Sequence, residues 1–167
     1  MHCSKKLILL LTTFLIVSCS SIPVSIDDDT LVKLERTACY GKCPIYTVVV
    51  KKNGEVKYEG RKYVSVKGIQ TATLSKESIA SIEAKLMKTK FLKMRSNLDS
   101  GSWGCFISRT DHSYIIIEGS VKNKRKAVST YLGCDSEQVE TVFELANYID
   151  KITETSEWVE SNTTHKP

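Results

Sequence analysis

PIYTVVVKKNGEVKYEG, residues 44–60, consists of two β-rich runs that meet at Asn53-Gly54. Val, Ile and Tyr suit a pleated, half-buried surface, and Asn-Gly between two such runs signals a hairpin. Side-chain alternation then selects the register. A two-residue turn would set Val56 and Tyr58 opposite Lys51 and Val49, leaving a lysine on the apolar face. A three-residue loop, Lys52-Asn53-Gly54 with Gly54 as a left-handed bulge residue, instead pairs Val50 with Val56, Val48 with Tyr58 and Tyr46 with Gly60. It also brings Lys51 to Glu55 on the outer face, where opposite charges attract. The three-residue loop is the preferred register.

Working outward, Leu31–Thr37 alternates as a strand, and Val64–Leu74 reads as one strand interrupted at Gly68 or as two short ones. Ser75 can N-cap a helix in which Ile79, Ile82, Leu86 and Met87 recur at helical spacing. Lys85, Lys88 and Lys90 lie near its C-terminal end, where the helix dipole favours positive charge. After a loop containing Gly101 and Gly104, Phe106–Glu118 and Lys124–Leu132 form a second β pair. Asp135, with Gln138 three residues on, starts a second helix whose Val139, Val142, Phe143, Ala146 and Ile149 face inward. Each helix has one apolar stripe to bury. The expected fold is α+β: an antiparallel sheet of about six strands, order ββββαββα, with two helices packed on one face.

The N-terminus reads as an address. Lys5 and Lys6 precede the apolar run Leu7–Val17, which is too short to span about 30 Å of hydrocarbon. Ile16-Val17-Ser18-Cys19 resembles the lipobox of bacterial lipoproteins, in which the cysteine is lipidated and becomes the mature N-terminus. The expected organisation is a lipoprotein signal peptide at 1–18, a flexible tether at 19–29, one α+β domain at 30–159 and a polar tail at 160–167. Two or three acyl chains, at about 0.8 kcal/mol per buried methylene, would make attachment at Cys19 effectively permanent. Ser20 after that cysteine resembles the outer-membrane sorting pattern of diderm bacteria, so the expected location is the envelope, lipid-anchored at the outer membrane.

Charge narrows the partners. Losing Lys5 and Lys6 takes the formal charge from +5 to +3, too mild for nucleic-acid binding, which relies on dense phosphate-facing Lys and Arg. The segment from Thr30 to Arg95 is strongly basic. Asp135–Glu160 carries eight acids against Lys151 alone. An acidic helix face balancing a basic sheet accounts for this, and a docking surface for a charged envelope protein is the alternative.

Of six cysteines, Cys3 leaves with the signal and Cys19 takes lipid. Cys39, Cys43, Cys105 and Cys134 remain as candidate disulfide partners in an oxidising compartment, and three pairings are open. A turn at Gly119-Ser120 would put Cys105 directly opposite Cys134, whereas a turn nearer Asn123 would shift them. Cys39 and Cys43 have three readings. They can form a local disulfide at the hairpin entry, serve as a thiol-redox or soft-metal pair for Cu(I) or zinc, or pair with the other two cysteines. Cys39-x3-Cys43-Pro44 is similar to the copper-chaperone motif of the synthesis-of-cytochrome-oxidase family, but there the motif leads into a helix, whereas Ile45–Val50 continues as a strand.

Catalytic residues are not assigned. Asp111 and His112, adjacent on the expected strand, would point to opposite faces. The Gly101–Gly104 loop with Trp103 is no phosphate motif; it would rim a pocket or pack over a sheet edge. Cofactors are not expected.

Cys39, Gly41, Cys43, Pro44 and Tyr46, then Gly54, Val56, Tyr58, Glu59 and Gly60, and finally Glu157-Trp158-Val159 resemble the domain of unknown function 6438 family of bacterial exported proteins and lipoproteins. The likeness spans about Leu34–Val159. It implies Cys39 with Cys43 as the shared unit and brings no activity, substrate or cofactor. The functional expectation is an envelope-anchored binding or structural module, with thiol-redox or copper handling at Cys39/Cys43 as the alternative.

Overall fold

The structure is a computed structural model describing residues 28–160. The signal segment, Cys19 with the tether to residue 27, and the tail from residue 161 lie outside the described residues. In chain order the elements are β1 (Thr30–Arg36), β2 (Ile45–Lys51), β3 (Glu55–Lys62), β4 (Gly68–Thr73), α1 (Lys76–Lys88), a 3-10 turn (Phe91–Lys93), β5 (Asn97–Leu98), β6 (Tyr114–Val121), β7 (Lys124–Tyr131), α2 (Glu137–Ile152) and α3 (Ser156–Val159). The fold is α+β. One sheet of seven strands has the order β4-β3-β2-β1-β6-β7-β5. Neighbours are antiparallel except β5, which lies parallel to β7 at Ser129-Thr130. With two residues, β5 is too short to leave a periodic signal.

The β2–β3 hairpin has the three-residue loop register. Val50 faces Val56, Val48 faces Tyr58 and Tyr46 faces Gly60, while Lys51 Nζ meets Glu55 Oε2 at 3.1 Å. Gly54 has φ 95°, and a Cβ there would lie 2.7 Å from the Leu74 carbonyl oxygen, so chain handedness and close packing both require glycine. Upstream of the hairpin a bulge shifts Ile45 opposite Lys62. Of Val64–Leu74 only Gly68–Thr73 is a strand.

The second β pair differs from expectation. Its turn is Lys122-Asn123, both left-handed at φ 49° and 61°, which suits a two-residue hairpin turn. Gly119 is therefore inside β6, where its missing side chain lets the Phe91 ring approach to 2.9 Å of an added Cβ. The strand begins at Tyr114 instead of Phe106, because residues 106–113 are held in a loop by non-local bonds described below.

Ser75 caps α1, accepting from Ser78 N–H. The α2 cap is Ser136, accepting from Val139 N–H, one residue later than the expected Asp135. Gln138 does not close a capping box; it bonds the backbone N–H and carbonyl of Arg95. Leu145 is buried in α2 where Phe143 was expected inward, and Phe143 and Met87 are 45% and 46% exposed. Phe143 lies instead beneath the Arg36 guanidinium, 5.9 Å from the ring centre.

Both long helices cover one face of the sheet. Ile82 and Leu86 from α1 and Val142, Leu145 and Ile149 from α2 join Leu34, Val48, Tyr58 and Ile117 in one core. On the opposite face charges alternate along the strands, with Lys33–Glu118 at 2.9 Å and Arg61–Glu35 at 2.7 Å. Such half-exposed pairs contribute little stability and much solubility. Among the described residues no helix is long and apolar enough to cross a membrane. Among the described residues the strands and helices, both disulfides and the core lie within residues 30–159.

The sheet has two poles. β1 enters at one, beside the β2–β3 and β6–β7 turns, and ends at the other, where Arg36 faces Tyr46 and Ile115. The functional features divide between them.

Candidate functional site

At the pole where β1 ends, two disulfides organise two adjoining loops. Cys39 is bonded to Cys43, with Cα atoms 5.7 Å apart, and Tyr40 N–H donates to the Asp111 carbonyl at 3.2 Å. Cys105 is bonded to Cys134, Cα atoms 5.2 Å apart. Cys105, expected just ahead of a strand starting at Phe106, lies in a loop that runs on to residue 113, and both cysteines are buried with Leu98 and Tyr131. The loop is also tied by backbone: Arg109 N–H donates to Gly133 O at 2.8 Å and Asp135 N–H to Ile107 O at 3.0 Å. An added Cβ at Gly133 would sit 2.2 Å from the Arg109 carbonyl oxygen, so this closeness depends on glycine.

Held this way, the loop presents Trp103, Phe106 and Ile107 to solvent at 73%, 74% and 69% exposure. Trp103 meets Phe106 edge-on, ring centres 5.4 Å apart. Trp103 thus does not pack over a sheet edge. Asp111 and His112 lie in the same loop rather than on a strand, and His112 Nδ1 is 2.8 Å from the Thr110 carbonyl. Among the described residues no group of three or more His, Cys, Asp or Glu side chains converges as a metal site.

Beside these loops is a polar cleft of ≈ 340 Å³ between the end of β1, the start of β2 and the last turns of α2, lined by Arg36, Pro44, Tyr46, Asn147 and Asp150 among others. Arg36 continues the inward-facing series Val32, Leu34 to the point where the apolar core ends. Its Nε and Nη2 donate to Asp150 Oδ2 at 3.0 and 2.7 Å, and Nη2 also donates to Asn147 Oδ1 at 2.8 Å. Tyr46 Oη donates to the same Asp150 oxygen at 2.9 Å. Asp150 Oδ1 is buried without a hydrogen-bond partner among the described residues. An unpaired buried acceptor of this kind carries a desolvation cost.

Burial pushes the Asp150 carboxyl above its ordinary range, against the pull of Arg36 and Tyr46. Burial and the neighbouring Asp150 raise Tyr46 far above its ordinary value, so its hydroxyl keeps its proton and remains a donor. Arg36 stays charged, because Asp150 and Tyr46 together outweigh its desolvation. The cluster is built to hold charge and orient hydrogen bonds. Sequence reading missed both Arg36 and Asp150; the available signal was an arginine in phase with two buried strand residues.

An aromatic series runs from this cleft into the core: Tyr46 to Tyr58 with ring centres 5.7 Å apart, then Tyr58 to Trp158 at 5.1 Å. Burial raises the Tyr58 hydroxyl to about 12, and it donates to the Val66 carbonyl at 3.1 Å. The α3 segment is latched over Tyr58 by Val66 N–H to Trp158 O at 2.9 Å and Ser65 N–H to Val159 O at 3.2 Å.

The model of the family described as "Domain of unknown function (DUF6438)" matches residues 30–153. The chain belongs to the DUF6438 family. No curated protein matches it. In this DUF6438 domain several of the residues that carry the family likeness gather at the cleft: Pro44 and Tyr46 line it, and Tyr58 and Gly60 pack behind it. Trp158 completes the aromatic series from beyond the matched span.

The pH dependence of the cleft follows from the direction of the Asp150 shift. A carboxyl with a raised folded-state pKa favours the folded protein most below its unfolded pKa, and that contribution is lost as pH rises through the folded value. NMR titration of the Asp150 carboxyl carbon should therefore give a midpoint above the ordinary 3.8. A midpoint at or below 3.8 would mean that Arg36 and Tyr46 outweigh burial.

Proposed function

We propose that this protein is an envelope lipoprotein, held to a membrane by lipid on Cys19, whose DUF6438 domain binds another envelope component without catalysing a reaction. One observation carries the binding role: three large apolar side chains, Trp103, Phe106 and Ile107, are exposed together on a loop fixed by a disulfide. Exposed apolar clusters of this kind mark interaction sites. Fixing the loop before binding lowers the entropy lost on association. The loop lies at the pole opposite the entry of β1, so the reading has a direction, with the tether on one side and the binding tip on the other.

The test compares the mature protein with a Trp103→Ser/Phe106→Ser variant in cross-linking and pull-down from envelope extract, at low and physiological salt. The expected result is a saturable partner retained by the native tip and lost from the variant, whose stability is unchanged because both side chains are exposed. Equal recovery by both proteins would remove the tip from the proposal. Two free thiols at Cys39 and Cys43 in the native protein, with tight Cu(I) uptake, would replace the binding role with metal handling.

A further inference from the structure

The pole at which β1 enters carries a surface that the binding role leaves unused. The end of α1, the 3-10 turn and the β6–β7 turn enclose a shallow groove of ≈ 320 Å³. Leu86, Phe91 and Val121 form its apolar floor, and Met87 stands exposed at its edge. Lys90, Lys93 and Lys122 rim it, all three exposed, and no acid lines it. Lys52 adds a further cation in the adjoining cleft, where Glu83 is the acid. Lys126 Nζ on β7 donates to the carbonyls of Leu92 and Met94 and ties the turn that bears Phe91 to the sheet.

We propose that this groove is the membrane-facing surface of the domain, seated on the anionic phospholipid headgroups of the bilayer that holds the lipid anchor. It rests on the anchored reading of Cys19, which identifies the occupant. Val32 pairs with Gly119, so Val121 in the groove stands level with Thr30, where β1 begins. The described chain therefore begins, at Asp28, near the groove. Fully extended, the segment from Cys19 to Asp29 reaches roughly 35–40 Å, so a membrane holding Cys19 is always within range of this pole. The groove matches such a surface in both respects. Its lysines face phosphates, and Met87 over an apolar floor suits the boundary between headgroup and acyl chain. The acids at the chain entry stand near the groove and are partly engaged: Asp28 meets Arg125 at 3.5 Å, and the Asp29 backbone carbonyl accepts from Lys52 N–H at 2.7 Å.

The test uses the chain from Ser20 onward, which contains the whole folded unit and lacks the lipidated cysteine, so that acyl chains do not dominate binding. Sedimentation with phosphatidylcholine vesicles should leave it free. Including phosphatidylglycerol should bind it, less so as salt rises. Each lysine near an anionic surface strengthens binding about five-fold, so Lys90→Ala/Lys93→Ala/Lys122→Ala should weaken it by about 100-fold. Lys57→Ala/Lys62→Ala, on β3, should leave binding unchanged. Absence of binding to anionic vesicles, or equal loss in both variants, overturns the proposal. So does dimerisation abolished by the groove substitutions without vesicle binding, which would give the groove to a second copy. Mass determination of the mature N-terminus keeps the two readings apart: a lipidated Cys19 with no vesicle binding defeats the groove alone, and vesicle binding without lipidation defeats the anchor alone.

Discussion

Replacing Arg36 with methionine should destabilise the domain at neutral pH by about 3–5 kcal/mol, the range for removing one partner of a buried ion pair. The side chains of Arg36 and Asp150 keep 16% and 13% exposure, which places the loss near the lower end. The physical cause is Asp150, which Arg36 holds through two hydrogen bonds. Without the guanidinium, a buried carboxylate keeps only Tyr46 as a donor to Oδ2, while Oδ1 is already unpartnered. Its folded pKa then rises further, so the stability it contributes is full below the unfolded value and lost as pH rises. The cost of the substitution should accordingly shrink when urea unfolding is repeated near pH 4. Arg36→Met/Asp150→Leu removes both charges and should recover most of the loss, since a buried pair replaced by apolar groups is often close to neutral. A double variant as unstable as the single one would show that Arg36 acts through packing against Phe143 instead of through Asp150.

What the sequence made legible divides along the range of the interactions involved. The β2–β3 register was readable because turn chemistry and alternation act over 17 neighbouring residues, 44–60, and only one arrangement keeps Lys51 off the apolar face. The Ser75 cap was readable for the same reason. The β6–β7 pair was misplaced because Phe106 and Ile107 look like strand residues, and only distant partners, Gly133, Cys134 and Asp135, hold that segment as a loop. Phe143 was expected inward on helical spacing, but it lies beneath Arg36 at the end of the central strand β1, a contact 107 residues away in the chain. The cleft was illegible for a related reason. Arg36 and Asp150 lie 114 residues apart, and neither has a local motif. The family likeness pointed to Pro44 and Tyr46, which line the cleft, without indicating the charge pair between them.

Deleting the Cys105–Cys134 disulfide should have an effect of similar size, with a different functional consequence. The chain-entropy relation gives about 3.5 kcal/mol for closing a loop of this length, against about 2 kcal/mol for a very short one. The sequence separations are 29 for Cys105–Cys134 and 4 for Cys39–Cys43. Cys105→Ala/Cys134→Ala should therefore lower stability more than Cys39→Ala/Cys43→Ala, as read by urea unfolding of each variant. The longer bridge also anchors the residues between β5 and β6, where Trp103 and Phe106 are exposed. Amide exchange across residues 99–112 should accelerate in the Cys105/Cys134 variant while β1, β2 and β6 stay protected in conditions where it remains folded. Partner binding through the tip should weaken in step, although both aromatic side chains are still present, because the cost of ordering the loop then falls on the association step. If the loop stays protected without the bridge, its order comes from the Arg109–Gly133 and Ile107–Asp135 backbone bonds. The disulfide would then serve global stability alone, and the rigidity of the binding tip would reside in the glycine that lets those backbones meet.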